Sequence, residues 1–254
     1  MSEVTANPLA DLLICACSRA WDGDTEVLAS GIGLIQRLGA SMAMTKNPDL
    51  MMTDSEAFIV SEPVPVGARN GYKPKAETWM GFSRVFENLW SGARHALVGP
   101  SQIDQYGQTN ISALGDYDKP KVQMLGVRGF PGNSISHANS FFVPSHSTRA
   151  FVAGEVDTVC SIGYNPARLP KGYSFDDIDI RLIVTNLCVM DFELETKKMR
   201  LVSLHPGVEL EQVIENTGFE LLIPDDVPVT AEPSAEELTI LKKIDPNNLR
   251  LSAI

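Results

Sequence analysis

No run of apolar residues approaches the roughly 20 that a helix needs to cross a bilayer, so no membrane span is expected. No basic region followed by an apolar core opens the chain either; a signal peptide is not expected, and a cytoplasmic protein is. Positive charge is scarce: 21 Lys and Arg stand against 32 Asp and Glu, a net charge of −11. Such a balance offers no general attraction to nucleic-acid phosphates or anionic lipid, so neither partner is expected. Cysteine is sparse too. Cys15 and Cys17 form a C-x-C pair, while Cys160 and Cys188 are isolated, and each lies among apolar neighbours. That pattern reads as buried reduced thiols rather than a disulfide framework or a zinc ribbon. The four His (His95, His137, His146 and His205) are scattered without H-x-x-x-H or H-E-x-x-H spacing, so no metal site is expected. A G-x-S-x-G elbow, a P-loop and a G-x-G-x-x-G fingerprint are all missing, which removes the α/β-hydrolase serine and two common nucleotide motifs.

What remains is an ordinary globular composition, 44% hydrophobic and 21% charged over 254 residues. It suits a single large α/β domain spanning residues 1–254. A helix is predicted from Pro8 to Ala20, with Leu12, Leu13, Ala16 and Cys17 as its apolar face; Asp22-Gly23-Asp24 breaks it. A strand over Glu26–Ser30, the turn Gly31-Ile32-Gly33, a helix through Leu34, Leu38 and Met42, and a strand over Leu50–Thr53 read as a βαβ unit. Glu62 to Lys75, with Pro63, Pro65, Pro74, Gly67 and Gly71, reads as a long functional or covering loop. Helical spacing returns over Phe82–Ala93, followed by a strand His95–Gly99. Further strands are predicted at Gln123–Val127, Ser140–Val143, Ala150–Val152 and Thr158–Ile162. Arg181–Thr185, Val189–Phe192 and Met199–Leu204 have the spacing of an antiparallel meander. Two helices close the chain, Glu209–Asn216 and one opened by the capping box Ser234…Glu237 and ended by Asp245-Pro246. The fold class expected is therefore α/β: an open, mostly parallel sheet with flanking helices and a C-terminal strand meander.

Three polar stretches could carry chemistry. Thr53-Asp54-Ser55-Glu56 lies where a strand leaves the sheet, the edge at which open α/β sheets bind ligands. Glu56 there is either a nucleophile toward an activated acyl group or a solvated charge beside the caps Asp54 and Ser55. Gly126-Val127-Arg128-Gly129-Phe130-Pro131-Gly132-Asn133 brings closely spaced glycines and a cation together. It is either an anion-binding loop or a structural turn, and Pro131 suits a fixed loop better than a helix start. Gly99 to Asn110, dense in amides and carboxylates, reads as a polar turn.

Taken together, these stretches resemble the β subunits of class I CoA-transferases. Gly99–Asn110 (GPSQIDQYGQTN) is similar to that family's G-x-Q-I-D-x-Y-G-N-x-N signature, and Gly115–Gly132 to its G-D-Y…P-K…G-x-G-G segment. Leu204-His205-Pro206-Gly207-Val208, Glu215-Asn216-Thr217-Gly218-Phe219 and Ile244-Asp245-Pro246 are family-like as well. Trp79-Met80, Phe82, Arg84-Val85-Phe86-Glu87 and Gly126-Val127-Arg128-Gly129 resemble a subgroup that opens a ring of a steroid-derived cyclic-ketone CoA thioester by hydrolysis. The resemblance implies a CoA thioester as substrate, no bound cofactor and a homologous α subunit as partner. It implies Glu56 as the catalytic carboxylate, with Ser55, Gln102, Asn110, Arg128, Gly129, Gly132 and Asn133 facing substrate or CoA. Transferases of the family carry their glutamate in S-E-N-G or E-S-G. Ser55-Glu56-Ala57-Phe58 lacks the following Asn or Gly, a departure that points to the ring-opening subgroup, with CoA transfer between carboxylates as the alternative.

Overall fold

The computed structural model describes residues 6–54, 58–127 and 129–254. The chain forms two compact units, one running to Val98 and resuming over Ala231–Ile254, the other covering Gly99–Thr230.

The first unit begins with α1 (Pro8–Ser18), opened by Asn7, whose side chain accepts from Ala10 N at 3.1 Å, and by a proline at the first helical position. The predicted apolar face understates its burial: Ile14 and Cys15 are buried with Leu12, Leu13, Ala16 and Cys17, so α1 is an internal helix. Next come β1 (Leu28–Gly31), α2 (Leu34–Lys46), β2 (Met52–Thr53), β3 (Phe58–Val60), β4 (Ala76–Trp79), α3 (Gly81–Trp90) and β5 (Arg94–Val98). The chain's last α-helix, Ala235–Ile244, packs against α1 and α2. Its capping box is formed as the sequence predicts, with Glu237 N donating to Ser234 Oγ at 3.2 Å and Ser234 N to Glu237 Oε2 at 2.8 Å.

The βαβ expectation is corrected in one respect. Met51 pairs in parallel with β1 for a single step, Met51 N to Val27 O at 2.9 Å and Ala29 N to Met51 O at 2.8 Å. The chain then leaves, and β2 joins β3 and β4 in a separate antiparallel sheet. The continuous parallel neighbour of β1 is β5, with Leu28 opposite Arg94 and Gly31 opposite Leu97. The loop expected between Glu62 and Lys75 is the connection between β3 and β4.

The second unit opens with two short hairpins, β6 (Gln102–Ile103) with β7 (Thr109–Asn110), and β8 (Ala113–Leu114) with β9 (Val122–Gln123). Then follow α4 (Phe130–Ser136), β10 (Ala138–Val143), β11 (Ile180–Thr185), β12 (Cys188–Phe192), β13 (Met199–Leu204) and α5 (Leu210–Glu215). Strand β10 is buried at every residue and pairs in parallel with β11, as strands covered on both faces do. Strands β11, β12 and β13 form the expected antiparallel meander. The strand predicted over Gln123–Val127 stops at Gln123. Those predicted at Ala150–Val152 and Thr158–Ile162 reduce to single bridges, Ile103 with Phe151 and Thr109 with Ser161. Phe151 and Cys160 are apolar because they are buried by side-chain packing, not because they sit in a ladder.

A polar seam runs through the core of this unit. His146 stacks on Phe151 with centroids 4.0 Å apart and contacts Thr185 Oγ1 at 3.1 Å and Thr217 Oγ1 at 2.9 Å. His205 Nε2 donates to Thr185 O at 2.8 Å, which leaves Nδ1 to accept from Thr230 Oγ1 at 2.9 Å. Burial lowers the pKa of both imidazoles, that of His146 to about 4. Between about pH 4 and the ordinary value of 6.5 the unfolded chain therefore holds a proton at His146 that the folded chain lacks. Stability should be fully present above that window and fall as pH drops through it, by about 1.4 kcal/mol per pH unit for this group. Urea unfolding at pH 7 and pH 5 checks this, and His146→Gln is expected to flatten the difference while lowering stability at pH 7.

Candidate functional site

A cavity of about 650 Å³ opens in the first unit. Three arginines line it from three separate elements: Arg37 from α2, Arg69 from the loop between β3 and β4, and Arg94 from the start of β5. Asp54, one residue past β2, is their single carboxylate on the described wall, and Met80, Val85 and Leu89 of the α3 region supply an apolar side. Local geometry explains how they meet. At Gly31, the last residue of β1, a Cβ would lie 2.0 Å from Gln36 O. Only glycine lets the strand end against the first turn of α2, and that turn carries Arg37 to the cavity. Register places Arg94 opposite Leu28, where its Nε donates to Ser30 Oγ at 3.0 Å. The loop is fixed by Val66 N donating to Ile244 O at 2.9 Å, and Arg69 Nη2 then bonds Asp54 Oδ1.

The charges are unevenly answered. Arg37 Nη2 donates to Thr53 O at 2.9 Å; burial lowers its pKa, and the nearby Asp54 charge opposes that shift. Burial alone pulls the Arg94 pKa down to about 10, which still leaves it charged at neutral pH. Arg94 has no carboxylate within ion-pair distance among the described residues. None of the three arginines carries a sequence motif, and sequence reasoning passed over them; the one available signal was a cation immediately before an apolar strand at Arg94. Ser55 and Glu56, the candidates nearest to Asp54 in the chain, lie outside the described residues, as does Arg128.

Gln102 and Asn110 stand together in the second unit, bound chiefly to each other and to the loops around them. Asn110 Nδ2 donates to Gln102 Oε1 and to Ala113 O, both at 2.7 Å, and Asn110 Oδ1 accepts from Ser112 N at 2.9 Å. Gln102 Nε2 donates to Asp157 Oδ2 at 3.1 Å, and Asp157 N returns a bond to Gln102 Oε1 at 3.1 Å. The neighbouring Asp104 accepts from Tyr106 N and Gln108 N, and burial, working against those bonds, raises its pKa to about 6.

Gly132 and Asn133 belong to α4 and Gly129 is the residue just before it, its carbonyl accepting from Asn133 N at 3.0 Å. The expectation that Pro131 disfavours a helix start is corrected here. Pro131 occupies the first turn of α4, where its missing N–H has no intrahelical acceptor and its fixed φ suits the helix. Among the described residues nothing packs within 4 Å of the position a Cβ would take at Gly132.

Among the described residues no cluster of His, Cys, Asp and Glu could hold a metal ion, and no helix is long and apolar enough to cross a membrane. All four cysteines are buried and unbonded to one another, with burial pushing the thiols of Cys15 and Cys188 up to about 12.

The first unit thus carries an arginine-lined cavity at its strand ends, and the second carries loops closed by buried amides, both within an α/β fold. No protein-family model matches the chain. It is 40% identical over 253 residues to the cholesterol ring-cleaving hydrolase IpdB subunit of Rhodococcus jostii RHA1, covering 98% of each chain. It is 29% identical to the corresponding subunit of the 3-oxoadipate CoA-transferase of Pseudomonas knackmussii, over 96% of this chain and 95% of that one. The crystal structure of Rhodococcus jostii RHA1 IpdAB superposes with a TM-score of 0.89 at 38% identity, covering 98% of this chain and 99% of that one. The chain belongs to the class I CoA-transferase family, among its β subunits, and within that family it is more similar to the ring-cleaving IpdB subunit than to the transferase subunit.

The amide network makes a direct prediction. Asn110→Ala removes one partner from Gln102 Oε1, Ala113 O and Ser112 N in a dry interior. It should lower unfolding free energy by about 2–4 kcal/mol, read as a shift of the urea midpoint at constant m-value.

Proposed function

We propose that this chain is the β subunit of a heteromeric hydrolase that opens a ring in a steroid-derived cyclic-ketone CoA thioester, working with a homologous α subunit. The observation that carries the reading is the 40% identity across 98% of both chains with a subunit of a cholesterol ring-cleaving hydrolase, against 29% with a CoA-transferase subunit. Its two compact units act in this reading as one β-subunit domain, in the cytoplasm where CoA thioesters are used. The CoA thioester is substrate, and no resident cofactor is required.

Ring opening of this kind is a hydrolytic retro-Claisen step. A base takes a proton from water, and a C–O bond forms at the ring ketone. The oxyanion collapses, the adjacent ring C–C bond breaks, and its electron pair becomes an enolate stabilised by the neighbouring carbonyl. That enolate takes up a proton, so one water is consumed and a carboxylate is made. The chemistry needs a general base and donors for the oxyanion. Glu56, two residues from the cavity-lining Asp54, is assigned the carboxylate role. Ser55, Gln102, Asn110, Arg128, Gly129, Gly132 and Asn133 are assigned to the substrate and CoA side.

The Ser55-Glu56 pair also matches part of the transferase pattern, which keeps CoA transfer through a glutamyl-CoA thioester as the second reading. The co-purified α/β complex, given a cyclic-ketone CoA thioester and no acceptor carboxylate, is expected to yield a product heavier by one water. Glu56→Gln should slow this turnover about a hundredfold or more. Unchanged substrate, together with a borohydride-reduced adduct on Glu56 after incubation with an acyl-CoA, would overturn the hydrolase in favour of the transferase.

A further inference from the structure

Helix α3 turns one side to the cavity and an aromatic side to solvent. Phe82, Phe86 and Trp90 recur every four residues and so form one stripe along the helix. Phe82 meets Phe86 edge-to-face with ring centroids 5.3 Å apart, and Phe86 meets Trp90 at 6.0 Å. Trp79 extends the stripe from the end of β4. Gly81, at a φ of +67°, turns the chain into the helix, and a Cβ there would lie 3.4 Å from the Trp79 indole. All four aromatic side chains are exposed, Phe82 to 78%. The strand beside them is open as well. Among the described residues β4 is an edge of the β2–β3–β4 sheet, exposed along its whole length, and an open edge is a surface that proteins normally cover.

The four aromatic side chains together offer roughly 500 Å² of apolar surface. That is over half of the roughly 800 Å² that each partner contributes to a stable interface of standard size, and tryptophan is enriched among the side chains that carry the binding energy there. The stripe lies on the convex side of a helix, whereas small ligands enter concave space, so the hydrocarbon of an acyl group is not its occupant. A second copy of this chain would bring another net charge of −11 against the first, which opposes a self-contact. We propose that the outward face of α3, with Trp79 and the edge of β4, is where the homologous α subunit docks. The inference rests on the two-subunit reading above and adds to it the surface that holds the subunits together. Val85 and Leu89 of the same helix line the cavity, so the docked subunit presses on the outer side of the cavity wall.

The test has two arms on the co-purified α/β complex. In the first, the complex is diluted and its dissociation followed by single-molecule mass measurement, for the wild type, Phe82→Asp and Trp90→Asp. Each variant is expected to raise the dissociation constant about a hundredfold or more, the range of a lost aromatic anchor replaced by a charge. Because both side chains point outward, the melting temperature of the chain should stay at the wild-type value. In the second arm, Phe82→p-benzoylphenylalanine keeps an aromatic ring at the position and is irradiated in the assembled complex; an adduct with the α subunit is expected. Dissociation unchanged in both Asp variants overturns the proposal. So does irradiation without an adduct, and an adduct between two copies of this chain overturns it in favour of a self-contact. If the Asp variants fail to fold, the photoadduct decides alone. Failure of the ring-opening reading is separate, since neither arm involves substrate or turnover.

Discussion

Arg250 ties the chain's C-terminal segment into the first unit, and the cavity depends on it. Its Nε bonds Asp11 of α1 at 2.6 Å and its Nη1 bonds the fully buried Asp245 at 3.0 Å. Asp245 follows the last α-helix directly, so the guanidinium fixes where that helix ends. Ile244, one residue earlier, accepts from Val66 N, and Val66 anchors the loop that presents Arg69 to Asp54. A run of single bonds therefore leads from an ion pair near the C-terminus to the wall of the cavity. The pairing is mostly buried, where removal of one partner costs far more than at the surface.

Much of this was readable one segment at a time. The α1 and α2 helices, the meander of β11–β13 and the Ser234–Glu237 cap each rest on local spacing and local bonds, which a sequence displays. The departures have a common origin. Met51 pairs with β1 for one step and then yields to the antiparallel β2–β4 sheet, a competition between distant partners that hydrophobic pattern does not rank. Phe151 and Ser161 make one bridge each, because their apolar surroundings are met by packing. The cavity arginines were invisible for the same reason, since Arg37, Arg69 and Arg94 converge only after three elements have folded.

The stretch that betrays the family is, in this structure, mainly an instruction for folding. In GPSQIDQYGQTN, Gln102 and Asn110 bond each other and Asp104 gathers backbone N–H groups, which closes a loop whose strands are only two residues long. Buried side-chain amides there take the place of a hydrogen-bonded ladder. Such a motif identifies the scaffold through the bonds its own side chains make.

The helix α3 has two contrasting sides. Inward it lines the cavity; outward it shows Phe82, Phe86 and Trp90 in an edge-to-face and tilted row, with Trp79 just before it. Trp79 and Trp90 are 66% and 70% exposed, while the third tryptophan, Trp21, is 1% exposed and donates to His95 O. The protein's intrinsic fluorescence is thus divided between two wet indoles at one element and one dry indole in the core. Quenching by iodide would silence the first pair and spare the third, and a blue shift confined to the quenchable fraction would report, without any label, that something had covered α3.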